Sequence, residues 1–351
     1  MTSPATGTAN AAPQSNAAPQ SNAAPLSNTV TLAKALNKGL RRAMERDSKV
    51  VLMGEDIGKL GGVFRVTDGL QKDFGEARVI DSPLAESGIL GTALGLALRG
   101  YRPVCEIQFD GFMSPAFDQI TTQVAKLRAR SLGKVRMPMV IRVPFGGGIG
   151  AVEHHSESPE AVYAHIAGLR IVACSNPVDG YWMIQQAIES DDPVLFFEPK
   201  RRYWDKAELD ESAGPAYRLD QAVVVRSGTD LTLAAHGPMV RTCLDAALAA
   251  EDEGRSIEVI DLRTISPLDV NAVAASVERT GRLVVVHEAP VFFGLGAELA
   301  AQITERCFYR LEAPVGRVGG FHTPYPPSRI EETYLPDLDR VLDAVDRAFA
   351  Y

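Results

Sequence analysis

The chain has 351 residues and carries 36 Lys or Arg against 44 Asp or Glu, a formal net charge of -8. At about 150 residues per domain this length allows two domains, and the hydrophobic (46%) and charged (23%) fractions are typical of a soluble globular protein. No apolar run reaches the ~18–20 residues of a membrane span, and the net negative charge argues against a general binder of nucleic acid or anionic membranes.

The first 28 residues are predicted to stay outside the folded domains. Residues 11–28 are one hexapeptide written three times, AAPQSN, AAPQSN and AAPLSN. With almost no large apolar side chains, this stretch cannot offset the entropy lost on ordering. It also lacks the basic start and apolar run of a secretory signal. We interpret residues 1–28 as a disordered tail or tether.

The four cysteines lie far apart and form no CxxC pair. Without metal-ligand spacing, they are interpreted as reduced core thiols, which favours a cytoplasmic protein. They are Cys105, Cys174, Cys243 and Cys307.

Helical and strand patterns alternate along the first half of the folded chain. Apolar residues recur at helical spacing from Leu32 to Met44, after Thr31 as a candidate N-cap. The remaining patterns predict strands at 50–53, 104–109, 139–143, 171–174 and 194–198, and helices at 87–100, 117–127 and 178–190.

A stretch rich in Pro, Gly and charge near 199–219 is predicted to be a linker, after which the same rhythm restarts. Strands are predicted at 231–235, 257–261 and 283–287, and helices at 239–253, 267–280 and 297–307. Continuous apolar strands that alternate with helices predict an α/β fold, with two domains of mainly parallel sheets flanked by helices. Ligand-binding residues are then expected just after the strands.

Two acidic residues follow predicted strands. Glu86, in PLAESG, precedes a small apolar helix, where burial would raise its pKa and favour proton transfer. Glu55 follows the strand at 50–53. From spacing alone, an ordinary acid at a helix N-terminus and a solvated loop acid are the simpler interpretations.

The segment PFGGGIGAVEHHSES joins a glycine run to His154 and His155. The glycines allow a ligand to approach the backbone closely, but no phosphate-binding motif follows them. The adjacent histidines do not form a metal site, so they are either functional or an accident of the surface. Phe112 either packs against a planar ligand or belongs to the core, and His236 and His287 are interpreted as structural.

Seven ordered motifs together resemble one family. They are GEDIGKLGGVFRVTDGL, DSPLAESGILGTALGLALRG, CEIQFDGFMSPAFDQI, HHSESPEAVYAH, DPVLFFEPK, EVIDLRTISPLD and TPYPPSRIEETYLP. They are similar to the β subunits of the first components of 2-oxo acid dehydrogenase complexes, which are thiamine-diphosphate-dependent enzymes of the transketolase superfamily. The resemblance runs from residue 29 to the C-terminus, and EIQF, PAFDQI, HSxSPEA and FFEPK resemble the branched-chain branch more than the pyruvate branch.

The resemblance implies a role for each candidate. Glu86 matches the glutamate that hydrogen-bonds the pyrimidine ring nitrogen and promotes loss of the C2 proton, and His155 matches the histidine of reductive acyl transfer to the lipoyl group. Phe112 matches an aromatic, Tyr in branched-chain relatives, that packs on the pyrimidine. The other cofactor-facing positions are Glu55, Leu84 and Gln108.

The resemblance also implies a partner. In this superfamily a GDG motif and a later Asn-rich element hold the diphosphate and its Mg2+, and the chain contains no GDG. The family has these on an α subunit, with the cofactor bound between the chains of an α2β2 heterotetramer, so this chain alone is expected to be inactive. Relatives bind a structural K+ at carbonyls that match 137–140 and 187–192, although Ser190 and Asp192 replace the expected Asp and Asn.

These observations predict the β subunit of a cytoplasmic oxidoreductase that decarboxylates a branched-chain 2-oxo acid and acylates lipoyl-lysine of an acyltransferase core. A pyruvate or acetoin dehydrogenase β subunit is the enzymatic alternative, and a non-catalytic scaffold is the alternative of another class. The implied organisation is a pyrimidine-binding domain at 29–205, a linker at 206–220 and a transketolase C-terminal-like domain at 221–351.

Overall fold

The computed structural model describes residues 28–351, so the predicted tail, apart from Asn28, lies outside the described residues. Fourteen strands are present in this part of the chain. They are β1 (Thr29–Thr31), β2 (Val50–Gly54), β3 (Val79–Asp81), β4 (Arg102–Glu106), β5 (Val140–Phe145), β6 (Arg170–Ala173), β7 (Val194–Pro199), β8 (Lys206–Glu208), β9 (Val223–Arg226), β10 (Leu231–Ala235), β11 (Ile257–Asp261), β12 (Thr264–Ser266), β13 (Leu283–Pro290) and β14 (Gly316–Gly320).

Twelve α-helices accompany the strands within residues 28–351. They are α1 (Leu32–Arg46), α2 (Leu70–Phe74), α3 (Glu86–Leu98), α4 (Met113–Asp118), α5 (Leu127–Arg130), α6 (Glu160–Ala164), α7 (Pro177–Glu189), α8 (Met239–Glu251), α9 (Val270–Thr280), α10 (Leu295–Cys307), α11 (Glu331–Tyr334) and α12 (Leu338–Phe349). No helix in this part of the chain combines the length and hydropathy needed to traverse a bilayer.

The strands form two large sheets and one small one. The first large sheet has the order β12-β6-β7-β5-β4-β2-β3, and the second has the order β14-β13-β10-β11-β9. Within the two large sheets, neighbouring strands are parallel except for β12 with β6 and β9 with β11. Each of these antiparallel pairs lies at one edge of its sheet. The parallel strands are buried, as expected for sheets covered by helices on both faces. The predicted α/β fold is therefore confirmed.

Local sequence determines most helix and strand positions closely. Thr31 caps α1, as predicted, because its hydroxyl accepts a hydrogen bond from the Lys34 amide at 3.2 Å. Strands β10 and β11 have the predicted bounds, and α7, α8 and α10 differ from prediction by one or two residues at their ends. The strand predicted at 104–109 was wrong over its last three residues, since β4 ends at Glu106 and the chain turns into a 3-10 turn, Asp110–Phe112.

The two halves of the chain share a sheet and a buried ion pair. Strand β12 pairs with β6, so a segment from the second half completes the first sheet. Arg263, only 1% exposed, contacts Asp179 at 3.0 Å and donates to the carbonyl oxygens of Arg218 and Gln221. Within the segment predicted to be a linker, β8 pairs antiparallel with β1. These contacts hold the two sheets together.

Candidate active site

Four neighbouring parallel strands end at one edge of the first sheet. In the order β5, β4, β2, β3 they lead into the segments that contain all six predicted site residues. Glu55 follows β2, Leu84 and Glu86 follow β3, Gln108 and Phe112 follow β4, and the glycine run that leads to His155 follows β5. The carboxyl edge of an open parallel sheet is where such folds bind ligands.

Glu86 is the first residue of α3, and it is buried, with 7% exposure. Among residues 28–351, no group donates a hydrogen bond to its carboxylate. Glu55 lies near enough for its pKa to be raised, first by burial and then by the charges of Asp56 and Glu86. The site therefore presents a buried carboxylate that is free to accept a donor from a ligand, with a second carboxyl beside it.

Aromatic rings from the segment after β4 and from the segment after β5 pack together at the same edge of the sheet. The ring centroids of Phe109 and His155 are 4.0 Å apart, and those of Phe112 and His155 are 5.2 Å apart in an edge-on arrangement. Phe112 and His155 are both half-buried. In the described structure, Nδ1 of His155 is buried and has no hydrogen-bond partner. Burial lowers the pKa of His155, with the positive charges of His154 and Lys200 acting in the same direction.

A buried ion pair lies directly beneath these rings. Lys200 donates to a carboxylate oxygen of Asp110, and both side chains are 0% exposed. The other oxygen of Asp110 accepts the backbone amide of Glu157, just beyond His155. Burial raises the pKa of Asp110 to about 7 and lowers that of Lys200, while their mutual attraction opposes both shifts.

A second buried charge cluster lies deeper in the first sheet. Arg142, on β5, donates through Nε (2.6 Å) and Nη2 (2.8 Å) to Glu198 and through Nη1 to Glu106 at 2.6 Å. Tyr203 adds its hydroxyl to Glu198 at 2.7 Å. Because two carboxylates surround one guanidinium, the pKa of Arg142 is held above its ordinary value despite burial. This cluster ties the ends of β4, β5 and β7 together.

The glycine run after β5 contacts two carboxylates of the second half of the chain. Glu288 accepts the amide of Gly147, and Glu331 accepts the amides of Gly148 and Gly150 at 2.9 Å each, one on each oxygen. The hydroxyl of Tyr325 also donates to Glu331, at 2.7 Å. We call Glu331 and its three donors the glycine-loop clamp. The glycines were expected to let a ligand approach the backbone closely. In the structure, carboxylates of the chain itself approach the backbone there.

The predicted site residues differ in their exposure to solvent. Glu55 and Gln108 are half-buried, whereas Leu84 is 71% exposed. Leu84 is therefore an exposed apolar side chain two residues from a buried acid. Sequence reasoning missed Asp110, Lys200 and the Arg142 cluster, because ion pairing between residues this far apart in sequence has no local pattern.

Three groups at this edge suit the pyrimidine of thiamine diphosphate, the cofactor that the resemblance implies. The undonated Glu86 carboxylate, the Phe112 ring and the unpartnered His155 nitrogen supply an acceptor, an aromatic surface and a polar contact, which suit a flat heteroaromatic ring. Within residues 28–351, no group of three or more His, Cys, Asp or Glu side chains is arranged to hold a metal ion. At the segments matching the family K+ site, the carbonyl oxygens of Ile188 and Ser190 accept hydrogen bonds from Arg102, and we assign no role to K+.

Comparisons with known proteins match both halves of the chain to known domain families. Residues 28–205 match the family model of the transketolase pyrimidine-binding domain, and residues 220–341 match that of the transketolase C-terminal domain. A solved structure described as a split-gene transketolase, an inactive β4 tetramer, shares the fold with a TM-score of 0.73 at 22% identity, covering 92% of this chain and 98% of that one.

Curated relatives are similar over most of their length. The chain is 60% identical to the pyruvate dehydrogenase E1 component subunit beta of Leifsonia xyli over 91% of this chain and 95% of the relative. It is 52% identical to the 3-methyl-2-oxobutanoate dehydrogenase subunit beta of Mycobacterium tuberculosis (90% and 91%), and 44% identical to the 2-oxoisovalerate dehydrogenase subunit beta of Pseudomonas aeruginosa (90% and 94%). The chain therefore belongs to the family of E1 β subunits of 2-oxo acid dehydrogenases, in the transketolase superfamily.

Proposed function

We propose that the chain is the β subunit of a thiamine-diphosphate-dependent dehydrogenase that decarboxylates a branched-chain 2-oxo acid and acylates the lipoyl-lysine of an acyltransferase. The observation that carries this proposal is the carboxyl edge of β2–β5, where a buried, undonated Glu86 lies with Glu55, Phe112 and His155. The proposed organisation is a pyrimidine-binding domain at 29–205 and a C-terminal-like domain at 221–351, in a cytoplasmic protein whose described cysteines are all free and buried.

When bound, thiamine diphosphate would supply an acidic carbon that, once deprotonated, attacks the 2-oxo group. Glu86 would hold a proton against the pyrimidine ring nitrogen, because its buried carboxylate has no other donor in the described structure. Phe112 would pack against the ring, and its T-shaped contact with His155 keeps both rings at one edge of the site. Glu55, Leu84 and Gln108 would complete the cofactor-facing surface.

His155 would act at the acyl-transfer step. Its lowered pKa leaves the imidazole neutral at physiological pH, so an unprotonated ring nitrogen is available to accept a proton. The Nδ1 atom of this ring makes no hydrogen bond within the described structure. A role in proton transfer to and from the lipoyl sulfurs fits this state of the ring.

The second half of the active site is proposed to come from an α subunit. The sequence has no GDG motif to hold a diphosphate and Mg2+, and Leu84 is exposed next to Glu86. An α chain seated on this edge would supply the Mg2+ site and cover Leu84, giving an α2β2 heterotetramer. The separate chain is expected to show no decarboxylation, and turnover by purified β chain without α would contradict the proposal.

Substrate choice is tested on the reconstituted α/β pair. The measurement compares kcat/KM for 3-methyl-2-oxobutanoate and for pyruvate, each with a lipoylated acceptor domain. The motifs EIQF, PAFDQI, HSxSPEA and FFEPK support the branched-chain acid, and we expect it to be preferred. The 60% identical relative named for pyruvate dehydrogenase supports the pyruvate alternative. A higher kcat/KM for pyruvate would replace the branched-chain assignment with that one.

A further inference from the structure

The proposed function assigns no role to the ion pair between Asp110 and Lys200. Both side chains are completely buried. Removing two charges from water commonly costs as much as their attraction returns, so stability alone is a weak reason for such a pair. Its location beneath the site suggests a different reason.

Asp110 connects two turns that carry site residues. It opens the turn Asp110–Phe112, and its second carboxylate oxygen accepts the amide of Glu157, two residues beyond the turn Glu153–His155. Gly111, between them, has no room for a side chain, because a Cβ there would overlap the backbone of His154. The two turns are therefore in contact, and Asp110 is hydrogen-bonded across that contact.

Lys200 completes the arrangement from a third element. It follows β7, and its Nζ lies 5.6 Å from the ring centroid of Phe109, the ring that contacts His155. A cation at this distance from a phenyl ring is attracted to it. Lys200 therefore contacts both the carboxylate that joins the turns and the ring that supports the histidine.

We propose that Asp110 and Lys200 form a positioning pair that holds the His155 ring against Phe109 and Phe112 for acyl transfer. The role in acyl transfer rests on the proposed function, whereas the positioning rests on the contacts above. Neither residue is a catalytic residue, since both act through His155.

The charges around the pair give it a measurable signature. The pKa of His155 is lowered by burial, by His154 and by Lys200, and raised by Glu153 and by a backbone hydrogen bond. Lys200 itself faces Asp110, Glu157 and Glu288. Removing the Lys200 charge is therefore expected to raise the pKa of His155.

The first experiment follows the imidazole of His155 by NMR in the full chain labelled at histidine, with His155→Gln to assign the signal. Lys200→Met is compared with the double variant Asp110→Asn/Lys200→Met, which removes both charges and is expected to keep its fold if the single variant does not. Lys134→Met, at an exposed lysine, is the control. We expect an upward shift of the His155 midpoint in Lys200→Met, because only a positive charge is lost, a smaller shift in the double variant, because the opposite charge is lost with it, and none in the control. Ring chemical shifts of His155 that stay at their wild-type values in the folded double variant would overturn the proposal, because the ring would then keep its position against Phe109 and Phe112 without the pair.

The second experiment uses the same variants reconstituted with the α subunit. Decarboxylation is measured with an artificial electron acceptor, and acyl transfer is measured as acylation of a lipoyl domain. We expect the double variant to lose about tenfold or more in acyl transfer and clearly less in decarboxylation, which is affected only through the turn that carries Phe112. Equal losses of decarboxylation and acyl transfer would overturn the proposal that the pair positions His155. Inactivity of the reconstituted wild type towards every 2-oxo acid would instead refute the proposed function, and the NMR shift would still report on the pair.

Discussion

Glu86 and Glu55 illustrate how a fold determines the surroundings of acids that look ordinary in sequence. Their sequence surroundings suit a helix N-terminus and a loop, and nothing in the spacing separates them from solvated carboxylates. Glu86 has 7% exposure at the start of α3, a helix that packs on β4, α4 and β2. The resemblance to a family identified these acids, whereas local pattern alone did not.

Glu86→Gln tests the proton-transfer role. The substitution keeps the size of the side chain but removes the acid, so the decarboxylation kcat of the reconstituted α/β enzyme is expected to fall by about 10²-fold or more. Glu76→Gln, at an exposed position, is the matched control, and circular dichroism checks that both variants fold. Full activity of Glu86→Gln in the reconstituted enzyme would contradict the proton-transfer role of Glu86.

At the scale of helices and strands, sequence periodicity predicts what lies within one element and fails where distant segments meet. Strands β10 and β11 have the predicted bounds, because LTLAA and IEVID are short runs rich in apolar residues that each follow a polar stretch. The predicted strand at 104–109 was too long because Asp110 turns towards Lys200, a partner 90 residues away. The carboxylates that contact the glycine run were not predicted either, because Glu288 and Glu331 lie more than 100 residues away in sequence.

Glu331→Gln tests the glycine-loop clamp. Each carboxylate oxygen of Glu331 accepts one loop amide, and an amide side chain can replace only one of these acceptors. Losing one charge-assisted hydrogen bond is expected to speed amide exchange of residues 146–150 by about tenfold, as measured by hydrogen–deuterium exchange.

The neighbouring residue provides the control for this experiment. Glu332 is exposed, and Glu332→Gln is expected to leave exchange in residues 146–150 at the wild-type rate. Equal exchange rates in the two variants would show that the carboxylate of Glu331 does not restrain the loop. Exchange in α12 serves as an internal reference, since this helix lies outside the clamp.

At the scale of the whole molecule, the two halves meet through buried polar groups. Strand β12 extends the first sheet, and Arg263 pairs with Asp179 across the boundary. Near the same boundary, Nε2 of His236 lies 3.4 Å from Glu160, and both side chains are buried. The alternation of helix and strand patterns predicted the α/β fold of both halves, but such contacts between them followed only from the structure.

His287 is expected to make the free energy of unfolding of the chain depend on pH. Its ring is 0% exposed, and the glycines at 294, 296 and 319 leave no space beside it for a side chain. Burial lowers its pKa to about 4; the charges of His236 and Arg317 act in the same direction, while Glu160 and a backbone hydrogen bond act against it. The folded state therefore binds fewer protons at this residue than the unfolded state does below pH 6.5. Stability from a neutral His287 is complete above that pH and is lost as the pH falls towards 4.

His287→Gln removes this contribution and is expected to flatten the pH dependence of unfolding. The wild type should lose about 3 kcal/mol of unfolding free energy through His287 between pH 7 and pH 4, a loss that the variant lacks. Urea unfolding of both proteins across this range measures the difference, and His165→Gln, at an exposed histidine, is the control. Because other groups titrate identically in both proteins, the gap between the two curves should narrow as the pH falls. A constant gap would mean that His287 has the same pKa in the folded and unfolded states.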